Sequence, residues 1–382
     1  MSESGNLSPL ETAEAAQAVY RIRLKDDVVS AFEGTRISDK LTLDDGAKFT
    51  GQSGIFRSTS GFGVIAAGTG ARKGEVMIVT RGTKTLSDWY SNAKIKTTIS
   101  ANRQSVHSGF NDIFLSFKDN LGAQLRALTP TRVHCVGHSL GGALATLIAE
   151  WINAEKLAQN THVYTFGCPR VGTQRFVENL TYDLGKERIN RAYHKTDVVP
   201  MIPLWPYIHG PMPGTSCFIN SPGNFPGAKY HGMDFYIESA EAHKTWNTLR
   251  QKQPNNYLEN QVENWLDSDS PLSLTGNTIF LISSAIRYVI TKLALAGLQF
   301  LIGEGINMID ALACFLVKAA RVAKETFELV AGLMRRILRA VGVVMGEVKD
   351  ITYTFVRWVL DSLSASLNKI VALALGDTHR GL

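Results

Sequence analysis

One serine stands where a chain can do chemistry with it. Ser139 lies in Gly137-His138-Ser139-Leu140-Gly141, after the strand-like run "RVHCVG" and before the helix-like run "LGGALATLIAEW". A G-x-S-x-G between strand and helix makes so sharp a turn that only glycine fits beside it, and the serine hydroxyl is pushed out at the strand's end. The helix behind it aims its first N–H groups at the same point. Such a serine can attack an acyl carbonyl and form a covalent intermediate, if a base, an orienting acid and oxyanion donors stand nearby. The competing reading is a glycine-rich turn with a satisfied hydroxyl. His134 and His138 have the i, i+4 spacing of a helical metal pair. One falls in the strand and the other in the turn, so no zinc site is expected.

The surrounding chain must supply elements that hold this turn. Residues 1–268 read as alternating strands and helices. "FGVIAAG" and "EVMIVT" are strands joined by the hairpin turn "TGARKG", whose glycines precede no helix and so form no phosphate site. Phe110, Ile113, Phe114, Phe117, Leu121 and Leu125 recur at helical spacing and describe one buried face. "HVYTFG" and "RINRAYH" add two strands. Alternation of this kind implies an α/β fold with a mostly parallel central sheet.

The polar stretch 269–277 reads as a linker. From 278 to 382 the chain turns rich in Ala, Leu, Val and Ile, at helical spacing, and predicts three or four helices broken near residues 303–305 and at Gly346. Charged residues, Arg287, Lys292, Glu304, Asp310 and Lys318 among them, interrupt it too often for a simple membrane span. In "LMRRILRAVGVVMG", Arg335, Arg336 and Arg339 share a face opposite Met334, Ile337, Leu338 and Val341. That pattern suits either an anionic membrane surface or a helical bundle that packs its apolar stripes internally. The GxxxG in it is a weak signal outside a membrane span.

The net charge of +6 over 382 residues permits contact with anionic membranes and does not argue for nucleic acid. Cys135, Cys168, Cys217 and Cys314 form no C-x-x-C pair, so neither a zinc site nor a disulfide framework is expected. "MSESGNLSPLETAEAA" lacks the basic and apolar regions of a secretory signal peptide. The chain is expected to be made in the cytoplasm and, if it acts outside, to leave by a signal-independent route.

Taken with "IVTRGTKTLSDWYSNA", "VHSGF", "FGCPRVG" and "DVVPMIP", the serine turn resembles the class 3, fungal-type lipases of the α/β-hydrolase fold, over roughly residues 60–240. The resemblance implies Ser139 as nucleophile, Asp197 as the acid and a late histidine as base. His231 in "HGMDFYI" fits that place, with His209 and His243 as rivals. An imidazole is needed because its near-neutral pKa lets it take the serine proton and return it. The resemblance further implies an oxyanion hole from Thr83 and the Leu140 N–H, and a lid in which Leu86, Trp89 and Tyr90 present an apolar face. A core-facing turn is the alternative for that segment. Acyl transfer on a lipid ester by this route requires no cofactor or metal. A signal-less lipase with a helical extension is also similar in architecture to antibacterial lipase effectors of type VI secretion. The helical tail would bring the site to a bilayer, which implies a membrane phospholipid as substrate, and an effector of that kind implies an immunity protein as partner.

Overall fold

The structure is a computed structural model and describes residues 5–22, 28–43, 48–53, 58–82, 96–214, 216–227, 229–251, 259–302 and 305–378. Its centre is an eight-stranded sheet. The strands are β1 (Leu41–Thr42), β2 (Lys48–Ser53), β3 (Ser58–Gly68), β4 (Glu75–Thr80), β7 (Arg132–His138), β8 (Asn160–Phe166), β10 (Ile189–His194) and β12 (Cys217–Ile219). Their order is β1-β3-β4-β7-β8-β10-β12, with β2 also on β3. From β4 to β12 all neighbours run parallel, while β1, β2 and β3 form an antiparallel flank. A second sheet joins four short strands, β5 (Thr97–Ile99), β6 (Ser105–His107), β9 (Gly172–Thr173) and β11 (Tyr207–Ile208), in the order β11-β9-β6-β5.

The parallel strands are covered on both faces, as parallel sheets require. Successive residues of β4 divide between the faces. Val76 and Ile78 join one buried cluster with the helices Ser108–Leu128, Leu140–Ala154 and Gln174–Leu184. Met77 and Val79 join another with the helices Pro9–Ala18 and Met233–Glu241. The six apolar residues expected to share a helix face in Ser108–Leu128 are all buried.

The expected helical region forms Gly276–Leu295, Met308–Ala320, Lys324–Ala340 and Tyr353–Thr378. Its buried side chains belong to the same continuous core as the Ser108–Leu128 face, so the described helices pack onto the α/β part. Gly276–Leu295 packs against the 3-10 turn Val199–Met201, and Tyr353–Thr378 comes against the turn Lys229–His231. Gly276–Leu295 is, among the described residues, long and apolar enough to cross a bilayer, yet half of its most apolar window is buried in the fold.

The arginine face of Lys324–Ala340 is not an exposed stripe. Arg336 is 1% exposed and donates to the carbonyls of Ser268 and Ser270 at 2.8 and 2.9 Å, with its guanidinium 4.8 Å from the Trp265 ring. Arg339 pairs with Asp269 at 2.7 Å. Met334, Ile337 and Leu338 on the other side are buried too. Helical spacing reports which residues share a face and not what covers it. Here the cover is the polar segment after residue 267.

At the end of the sheet away from Ser139, His134 and His162 stack obliquely with ring centroids 5.2 Å apart. His134 meets Glu75 at 3.1 Å and the Tyr164 hydroxyl at 3.2 Å, and His162 meets the Asn6 side chain at 2.7 Å. Burial pushes the His162 imidazole down to about 3 and lowers His134 as well. Burial works upward on Glu75, but hydrogen bonds from His134, Arg72 and Arg132 hold its carboxylate down at about 2. Unfolded, the histidines take up protons near 6.5 and the glutamate near 4.5. The unfolded chain therefore binds more protons than the folded one below those values, and stability is lost as pH falls. The thermal unfolding midpoint should drop steadily from pH 7 to pH 4, and His162→Gln should flatten the upper part of that slope. A midpoint constant between pH 7 and pH 5 would contradict this assignment.

Candidate active site

Ser139 follows β7 directly and opens the helix Leu140–Ala154 with φ 57° and ψ −131°. A non-glycine residue at positive φ is strained and persists only where its surroundings fix it. Those surroundings are backbone. A Cβ on Gly137 would lie 2.2 Å from the Gly141 carbonyl oxygen, and one on Gly141 would lie 2.2 Å from that of Thr80. The Thr80 hydroxyl donates to the carbonyls of Val136 and Gly141 at 3.1 and 2.6 Å, and the Ser139 N–H donates to the Phe166 carbonyl at 2.9 Å. Gly137 is thus required by close approach of the helix start to the end of β7, and Gly141 by close approach of β4.

Three side chains converge there. His231 Nε2 lies 3.0 Å from Ser139 Oγ, and His231 Nδ1 lies 2.9 and 3.0 Å from the two Asp197 oxygens. Asp197 has no exposed surface and His231 is 1% exposed. A carboxylate only accepts, so Nδ1 carries the proton and Nε2 of the neutral ring accepts from the serine hydroxyl. Asp197 also accepts from the Val199 N–H at 3.0 Å and from the Tyr236 hydroxyl at 2.7 Å. Burial pushes Tyr236 well above its ordinary value, with the Asp197 charge acting the same way, so Tyr236 remains a donor.

Position in the fold explains each placement. Asp197 stands just beyond β10, at the same sheet edge as Ser139 beyond β7. His231 ends the turn Lys229–His231, and Met233–Glu241 then carries Tyr236 back over the acid. The rivals lie elsewhere. His209 Nε2 meets the Pro200 carbonyl at 2.5 Å, and His243 follows the end of Met233–Glu241, its N–H donating to the Ala240 carbonyl. The Leu140 N–H heads its helix directly after Ser139, where helix N–H groups are free of intrahelical partners. Thr83 and the expected lid residues Leu86, Trp89 and Tyr90 lie outside the described residues. Gly82, next to Thr83, is described, and a Cβ on it would lie 3.6 Å from the Leu140 nitrogen. Tyr236, His138 and Tyr20 were missed by sequence reasoning. Of these, His138 lies inside the serine motif and Tyr236 inside "HGMDFYI", while Tyr20 carried no local signal. No group of His, Cys, Asp and Glu with metal-holding geometry occurs among the described residues.

A parallel sheet carrying a serine on a strained strand-to-helix turn, with a histidine and a buried carboxylate from later loops, defines an α/β-hydrolase with a Ser–His–Asp arrangement. The family model "Lipase (class 3)" matches residues 77–207, a segment that includes Ser139 and Asp197 and ends before His231. A secreted mono- and diacylglycerol lipase of Fusarium solani is 33% identical over 155 residues, covering 39% of this chain and 45% of that protein. The toxin TseL of Vibrio cholerae is 36% identical over 98 residues, covering 26% and 15%. The chain thus spans less than half the length of either relative. Among solved structures, the triacylglyceride lipase of Rhizomucor miehei is similar at a TM-score of 0.41 and 20% identity, over 55% of this chain and 78% of that one.

The glycine contacts give a direct test. Gly141→Ala should cost roughly 2 kcal/mol or more, because its methyl would have to displace the β4 backbone rather than a flexible side chain. Denaturant unfolding measures this, and a variant as stable as the parent would show that the turn does not depend on that approach.

Proposed function

We propose that this chain is a serine ester hydrolase of the lipase or phospholipase type. The observation that carries the reading is His231 set between Ser139 Oγ and the buried Asp197 carboxylate, at 3.0 and 2.9 Å. Ser139 Oγ attacks the ester carbonyl carbon while its proton passes to His231 Nε2. The oxyanion is held by the Leu140 N–H and by Thr83. As the ester C–O bond breaks, His231 gives that proton to the leaving alcohol, and the acyl group stays on Ser139. Water then attacks the acyl carbon, its proton goes to Nε2, and the acid leaves as the proton returns to Oγ. Asp197 holds the imidazole in the required tautomer and stabilises the imidazolium. No cofactor enters the cycle.

The substrate class is an acyl ester of a membrane lipid. Relatives named for mono- and diacylglycerol, for phospholipase A1 and for a toxin support it. In this reading the enzyme acts at a membrane surface after export, and an immunity protein shields a producing cell.

Mass spectrometry of products from mixed phospholipid and glyceride vesicles tests the reading. The wild type should release fatty acid and the matching lyso-lipid or alcohol. Ser139→Ala should retain the fold and lose at least about 10³-fold in rate. Vesicle leakage that survives Ser139→Ala with no fatty acid released would point to the helical tail as the active part.

A further inference from the structure

The mechanism needs three separate pieces of chain in register: the end of β4 that leads to Thr83, the turn that carries Ser139, and the loop that carries His231. One side chain outside all of them touches two and reaches the third. Tyr20 lies in the 3-10 turn Val19–Arg21, at the end of the helix Pro9–Ala18 and before residues 77–207 in sequence. Its hydroxyl is 3.1 Å from the Gly82 nitrogen and 2.9 Å from His138 Nδ1, and also 3.4 Å from the His138 carbonyl oxygen. The opposite nitrogen of the His138 ring, Nε2, is 2.7 Å from the carbonyl oxygen of His231.

With the His138 ring neutral, the direction of every bond in this chain follows from its ends. The His231 carbonyl can only accept, so His138 Nε2 carries the hydrogen. Nδ1 of the neutral ring must then accept, so the Tyr20 hydroxyl donates to it. The phenol oxygen is left to accept from the Gly82 N–H, which can only donate. A single relay therefore runs Gly82 N–H to Tyr20 O–H to His138 to the His231 carbonyl. It starts one residue before Thr83, passes through the residue before Ser139 and ends on the peptide of His231. Burial pushes the Tyr20 hydroxyl up to about 12, which keeps it protonated at working pH. The ring packs edge-on against His138 with centroids 5.7 Å apart.

We infer that Tyr20 is a positioning residue for acyl transfer, locking the oxyanion segment, the serine turn and the base-bearing loop in one arrangement. The inference rests on the hydrolase reading above. Tyr20 acts through its neighbours, since its hydroxyl bonds to Gly82 and His138, not to the reacting Oγ or the His231 ring. Misplacement of a reacting group by about 1 Å can cost on the order of 100-fold in rate, so the effect belongs in kcat rather than in substrate binding.

The test is Tyr20→Phe, which keeps the ring and removes the hydroxyl. Hydrolysis of a soluble p-nitrophenyl ester and the rate of Ser139 labelling by a fluorophosphonate are measured together with the unfolding midpoint. The comparison variant is Tyr164→Phe, which removes a buried hydroxyl at the far end of the sheet, where it accepts from the Leu7 N–H at 3.1 Å. Tyr20→Phe should lower kcat and the labelling rate together by roughly 10- to 100-fold, with KM within about twofold. Tyr164→Phe should lower the midpoint and leave kcat unchanged. His138→Phe should match Tyr20→Phe, and the double variant should be no worse than the weaker single one. Wild-type kcat in Tyr20→Phe, additive losses in the double variant, or an equal loss in Tyr164→Phe would overturn the positioning role. Failure of the wild type itself to be labelled at Ser139 would instead remove the hydrolase reading, and this inference with it.

Discussion

A carboxylate with no exposed surface is tolerable only when donors surround it, and the structure around the site can be read as the set of devices that provide them for Asp197. The donors are the Val199 N–H, the Tyr236 hydroxyl and the His231 ring. The first sits in the turn right after the acid. The other two come from residues 231–236, where the chain turns and starts a helix. Fixing those donors fixes His231, and through Nε2 it fixes the geometry at Ser139. The strained turn at Ser139 is held from the opposite side by β4, which leaves room only for glycine.

The C-terminal helices take part in the same construction. Gly276–Leu295 packs against Val199–Met201, and Arg170 joins the two by donating 3.0 Å bonds to the Pro203 carbonyl and the Ser283 hydroxyl. The Gly276 N–H donates to the Asn224 carbonyl at 3.0 Å. Tyr353–Thr378 comes against the turn that ends in His231. The loops bearing the acid and the base are thus backed by helices that follow them in sequence. Those helices line the back of the serine site.

Much of the arrangement was legible because it is local or ordered. The serine turn announces itself through glycines whose absence of side chains is sterically required. The parallel strands show as apolar runs between helical repeats. The resemblance to class 3 lipases pointed to Asp197 and, through the motif "HGMDFYI", to His231 ahead of His209 and His243. The rest depends on contacts between distant positions. Tyr20 meets His138 across 118 positions and Tyr236 meets Asp197 across 39; no local pattern marks Tyr20, and the motif "HGMDFYI" that contains Tyr236 does not show which group it contacts. The arginines of Lys324–Ala340 have the spacing of a lipid-facing stripe, but periodicity carries no information about the polar segment that covers them. The short strands of the second sheet are two or three residues long, too short for alternation to register.

The long reach of these contacts sets an order on synthesis. The Trp246 indole donates to the Leu7 carbonyl at 2.9 Å across 239 positions, and Tyr20 waits for partners at 82 and 138. A growing chain contains Ser139 long before it contains His231, and His231 before the helices that back its loop. No nascent chain that has not reached His231 holds the three side chains together. A ribosome making the protein therefore carries an incomplete site until His231 and the helices behind its loop have emerged.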